Sequence, residues 1–104
     1  MRIMAKYQFS EDAIKDINEI CDYLAKNNPR SASNLFDAIR QKCKLLSNFP
    51  NLGKSYTEIR PNLRGFLVRD YMIFYYAHNA DIFIVRIVSG YRNLDTLFSE
   101  DSNV

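Results

Sequence analysis

Tryptophan is absent from this chain of 104 residues, histidine occurs once, cysteine twice, and glycine and proline three times each. Each scarcity closes a class of chemistry. One histidine, His78 in a predicted turn, leaves neither a histidine-rich metal cluster nor an evident base for a serine or cysteine nucleophile. Gly53, Gly65 and Gly90 are too dispersed to cradle a phosphate. Cys21 and Cys43 are too few for a disulfide framework; both fall on apolar helix faces, poorly placed to bond each other, and read as free buried thiols. No apolar run is long enough to span a bilayer, and no apolar signal region follows Met1, so the expectation is a cytoplasmic protein without a membrane partner. No metal and no cofactor is expected.

What is present is a balance suited to one folded domain, spanning residues 1–104. Apolar residues make up 47% and charged residues 25%, and a chain of this length can bury a core without staples. The net charge of +2 is too small to identify a nucleic-acid binder. Its distribution is uneven. Between Lys54 and Arg92, the basic residues Lys54, Arg60, Arg64, Arg69, Arg86 and Arg92 stand against Glu58, Asp70 and Asp81, so this predicted sheet region is basic. An acidic partner and a solvated surface both fit that excess.

Residues 3–9 read as a short first strand. Ser10 offers a capping hydroxyl, and Glu11 and Asp12 place negative charge in the first helical turn. Ala13, Ile17, Ile20, Cys21 and Leu24 then recur at spacings of three and four, one stripe of a helix to about Lys26. Asn28 caps a second helix that starts with Pro29 and runs to about Asn48, with a stripe of Ala32, Leu35, Phe36, Ile39, Cys43 and Leu46. The tight connection makes the two an antiparallel helical hairpin.

Residues 51–62 show no period and read as a loop. Strands follow at about 63–68, 71–77 and 82–89, with turns at Arg69-Asp70 and at residues 78–81. The expected fold is therefore α+β, a small antiparallel sheet packed on an N-terminal helical hairpin in the order β-α-α-β-β-β. The tail, about 99–104, is expected to be disordered. The strands are apolar on both faces, and the hairpin covers only one. A bare second face marks a site for a partner, unless the first strand, the loop or the tail covers it.

Arginines interrupt this apolar pattern. Cationic side chains that stabilise phosphorane charge, with a tyrosine moving the proton, would suffice to cleave RNA, and Arg64, Arg86, Arg92, Tyr75 and Tyr91 are the candidates for such a set. The same residues serve equally as salt-bridge cations and core aromatics.

The succession of Phe49-Pro-Asn-Leu-Gly53, Leu63-Arg64, Tyr71-Met-Ile-Phe-Tyr75 and Ile84-Val-Arg-Ile-Val-Ser-Gly-Tyr-Arg92, behind a strand and a helical hairpin, resembles the ParE branch of the RelE/ParE toxin superfamily, the plasmid stabilisation proteins of type II toxin–antitoxin modules. The resemblance runs from about Tyr7 to Phe98. It implies a cognate antitoxin that wraps the toxin with an acidic, partly disordered segment; Arg64, Arg69, Met72, Phe74 and Arg86 are the candidates to meet it. Assembly as a homodimer or as a toxin–antitoxin hetero-oligomer is left open.

RelE-like members cut mRNA on the ribosome. Where they carry an arginine, a lysine and a C-terminal tyrosine, this chain carries Met72, Phe66 and Phe98, which can neither bind phosphate nor move a proton. The resemblance is to the ParE-like members, associated with inhibition of DNA gyrase by direct binding. On that reading Arg92, Leu94, Leu97 and Phe98 are the target-binding candidates. The alternatives are a RelE-like ribosome-dependent mRNA endonuclease and a non-toxic module that retains only antitoxin binding.

Overall fold

The computed structural model describes residues 6–79 and 81–89. In chain order its elements are β1 (Lys6–Phe9), α1 (Glu11–Asn27), α2 (Pro29–Asn48), β2 (Lys54–Ser55), β3 (Arg64–Val68), β4 (Tyr71–His78) and β5 (Asp81–Ser89). Both helix starts follow their capping residues. The Ser10 hydroxyl accepts from the Ala13 N–H, and the Asn28 carboxamide accepts from the Arg30 N–H at 3.0 Å, with Pro29 at the first helical position.

The five strands lie in the order β1-β5-β4-β3-β2. The α+β class is as expected. The sheet, however, is mixed rather than wholly antiparallel: β1 runs parallel to β5, with Phe9 opposite Ile84. Tight hairpin turns impose antiparallel pairing on β3, β4 and β5. No such turn joins β1 to β5, and the intervening chain leaves their direction free. The period-free segment also contributes the two-residue strand β2, too short to leave a periodic signal, which pairs Lys54 with Gly65 and Ser55 with Arg64.

The helices pack on one face of the sheet. Ala13 and Ile17 of α1 and Leu35, Ile39, Cys43 and Leu46 of α2 meet Val68, Ile73, Tyr75, Ile82, Ile84 and Ile87 in one core. Phe36, expected in that core, is 41% exposed. It stands one position past Leu35, about 100° around the helix, on the flank of the buried stripe. Cys21 and Cys43 are free thiols.

The opposite face is not bare. Residues 56–63 fold back through a Tyr56 N–H to Leu63 carbonyl bond of 2.8 Å and an Ile59 N–H to Tyr56 carbonyl bond of 2.9 Å. They lay Tyr56 and Ile59 over Leu63, Phe74 and Val88, which are buried as a second small cluster. The Tyr56 and Phe74 rings meet edge-to-face, 5.4 Å apart. Leu67, 57% exposed, and Phe83 remain in solvent on this face beside half-buried Met72 and Tyr76.

Candidate functional site

Two polar assemblies fix the sheet to what surrounds it, each centred on an arginine. The first lies where β1 ends. β5 carries a bulge: Phe74 pairs with Arg86 and Tyr75 with Ile84, leaving Val85 as the extra residue. Beyond Ile84 the edge of β5 has lost its neighbour, and the start of α1 takes over. The Ser10 N–H bonds the Ile84 carbonyl at 2.9 Å, and the Ser10 hydroxyl donates to the Val85 carbonyl at 2.9 Å. Asp16 completes the replacement: one carboxylate oxygen accepts from the Ile87 N–H at 2.9 Å and from Arg86 Nε at 2.8 Å, while the other accepts from Arg86 Nη2 at 3.2 Å. The Arg86 and Asp16 side chains are 14% and 13% exposed. This is a two-point guanidinium–carboxylate pair, largely withdrawn from water.

The second assembly holds the turn after α2. Tyr75 is fully buried, and its hydroxyl donates to the Pro50 carbonyl at 2.7 Å and accepts from the Gly53 N–H at 2.9 Å. Arg64, the cross-strand partner of Tyr75, donates through Nη1 to the Gly53 carbonyl at 2.7 Å and to the Asn51 carbonyl at 3.4 Å. Glycine is required at 53 by close approach, since a Cβ there would stand 2.5 Å from the Tyr75 hydroxyl oxygen. Burial pushes the Tyr75 phenol above its ordinary pKa, against the smaller lowering effects of the Gly53 backbone and Arg64. Burial alone pushes the Cys43 thiol up to about 12.

The predicted site residues therefore divide. Arg64 and Tyr75 are brought together, in the clamp on the 50–53 turn. Arg86 is held by Asp16. Phe74 is fully buried beneath Tyr56, and Met72 packs at the edge of the same cluster. Arg69 is exposed on the β3–β4 turn, with a left-handed φ of 56°. Tyr91, Arg92, Leu94, Leu97, Phe98 and the 99–104 tail lie outside the described residues. Sequence reasoning missed Asp16 and Tyr56. Asp16 had a signal: it flanks the buried stripe of α1 next to Ile17, and an arginine inside an apolar strand needs a carboxylate. Tyr56 had none, lying in a segment without period.

Among the described residues no three histidine, cysteine, aspartate or glutamate side chains gather as a metal site, and no helix is long and apolar enough to cross a membrane.

Residues 7–94 match the family model of the ParE toxin of the type II toxin–antitoxin system parDE. The chain belongs to the ParE toxin family. The Toxin ParE3 of Caulobacter vibrioides is 30% identical over 93 residues, which covers 89% of this chain and 90% of that protein. The fold is shared with a structure of the chromosomal ParDE TA system of P. aeruginosa, at a TM-score of 0.68 and 21% identity, covering 83% of this chain and 96% of that one. Membership of the ParE family makes the protein a toxin of the type II toxin–antitoxin class and implies an antitoxin partner.

Proposed function

We propose that this ParE-type toxin acts by binding DNA gyrase directly, and that a cognate antitoxin neutralises it by covering the toxin with an acidic segment. The observation that carries this reading is the commitment of the Tyr75 hydroxyl and the Arg86 fork. A phosphodiester-cleaving site needs a tyrosine free to exchange a proton and cations free to meet phosphate. The Tyr75 hydroxyl is engaged on both sides by the Pro50 carbonyl and the Gly53 N–H. The Arg86 fork is filled by Asp16. Met72 and Phe66 stand where RelE-like enzymes carry cations. Loss of single electrostatic groups costs about a hundredfold or more each, so cleavage is disfavoured and recognition is favoured.

The test runs gyrase supercoiling beside ribosome-dependent mRNA cleavage with the purified protein. Inhibited supercoiling with accumulated cleaved DNA, and intact mRNA, is the expected result. Cut mRNA with normal supercoiling would overturn the reading in favour of a RelE-like endonuclease. Inactivity in both assays, with a stable antitoxin complex, would identify a non-toxic binding module.

A further inference from the structure

Arg64 and Arg86 use their guanidinium groups differently. In Arg86 the Nε and Nη2 edge, the side-on fork that matches a carboxylate, is filled by both oxygens of Asp16. In Arg64 only Nη1 is engaged, by two backbone carbonyls. Its Nε and Nη2 have no partner among the described residues. No buried side-chain nitrogen or oxygen there is left unsatisfied, so this edge faces solvent. Arg64 also lines a recess of about 210 Å³, together with Asn51, Ser55, Thr57, Asn62, Leu63 and Ala77. These neighbours are neutral, and no carboxylate is among the described lining residues. The result is a half-buried arginine that lines the recess, held by its Nη1 bonds to the turn that Tyr75 clamps, with a two-donor edge left over.

We propose that this recess is a preorganised anion subsite, and that its ligand is a carboxylate side chain of the antitoxin's acidic segment, seated on Arg64 Nε and Nη2 as Asp16 is seated on Arg86. The identity of the partner rests on the antitoxin reading above; the existence of the subsite does not. Carboxylate is favoured over phosphate because a flat two-oxygen group matches a single free fork, and the described lining residues offer no second cation. Preorganisation matters to affinity: the arginine is already ordered by the turn, so less side-chain freedom is lost on binding.

The experiment uses the full chain with ¹⁵N-labelled arginine. Sodium acetate and, separately, inorganic phosphate are titrated at constant ionic strength made up with chloride, and the Nε–H resonances of Arg64 and Arg86 are followed. The expected result is a saturable shift of Arg64 with acetate, half-complete below about 50 mM, with Arg86 unmoved. Ser55→Glu supplies a second test that leaves the clamp intact. Ser55 is exposed and lies opposite Arg64 across β2 and β3, so its carboxylate would occupy the fork and abolish the acetate response. No saturable acetate shift in the wild type would overturn the subsite, and saturation by phosphate alone would overturn its carboxylate chemistry.

Calorimetry with the antitoxin then tests the partner. Ser55→Glu is expected to weaken the complex by about tenfold or more. Unchanged affinity with a positive acetate titration would overturn the assignment of the subsite to the antitoxin. Failure of the wild type to bind the antitoxin at all would refute the antitoxin reading, while the acetate result would still decide the subsite.

Discussion

Arg64 and Arg86 stand on one sheet with β4 between their strands, and the chain treats them in opposite ways. Around Arg86 the ligand is internal. Asp16 comes from the helix that replaces a missing strand, and it satisfies both the guanidinium and an edge N–H of β5. Around Arg64 the described residues supply only carbonyls, to Nη1, and the arginine lines a recess. The same residue type thus closes the structure at one place and leaves it open at the other. The difference lies in what stands next to each arginine, not in the arginines themselves.

The largest effect is expected at the closed end. Asp16→Ala strands a largely buried guanidinium and leaves the Ile87 N–H without its acceptor. Breaking such a pair from one side costs about 3–5 kcal/mol, which is a large share of the stability of a domain this size. Urea unfolding measures it. A loss below about 1 kcal/mol would mean that the pair behaves as a surface contact and that the contrast with Arg64 is illusory.

At the open end the tyrosine carries more of the stability than the arginine. Tyr75→Phe removes the donor to Pro50 and the acceptor for Gly53 together, with an expected cost of about 2–3 kcal/mol. Gly53→Ala attacks the same clamp from the other side, because its methyl would displace the hydroxyl. The two losses should not add, and the double variant is expected to be little worse than the poorer single one. Full additivity would show that hydroxyl and turn are independent.

Much of this frame was legible in the sequence. The helical hairpin, its caps and three of the strands follow from periodicity and from Ser10, Asn28 and Pro29, because those signals are local. The parallel pairing of β1 was not legible, because direction across a long connection leaves no mark on neighbouring residues. Nor was the cover over Phe74: a loop without period carries no sign that Tyr56 and Ile59 turn inward, so a face apolar in sequence looked open. The two arginines look alike in sequence, each followed by apolar strand residues. Only the tertiary placement of Asp16 separates them.

Alkaline pH should separate the two ends as well. The Tyr75 hydroxyl must keep its proton to donate to Pro50, and burial raises its pKa. A group raised in the folded state contributes stability that is fully present below its unfolded value, near 10.0 for tyrosine, and is lost as pH rises through the folded value. Cys43 adds a loss of the same sign between its ordinary 9.0 and about 12. Urea midpoints of the wild type should therefore fall as pH is raised through this range, and fall less steeply in Tyr75→Phe and in Cys43→Ala. Equal slopes in all three proteins would remove both groups from the account.

The smallest effects give the finest comparison, through conservative replacement at both arginines. Lysine keeps the charge but presents it as a point, without a planar fork. At position 86 it would keep attraction to Asp16 and lose one of two parallel bonds, an expected cost of about 1–2 kcal/mol. At position 64 an ammonium can still reach the carbonyls of Gly53 and Asn51, where only Nη1 is used now, and the cost should stay below about 1 kcal/mol. The stability ranking should then reverse in the acetate titration, where Arg64→Lys loses the fork that defines the subsite while Arg86→Lys leaves it untouched. Equal costs in unfolding, together with an acetate response that survives Arg64→Lys, would mean that the free edge of Arg64 is merely solvated and that the two arginines differ in nothing but their neighbours' charge.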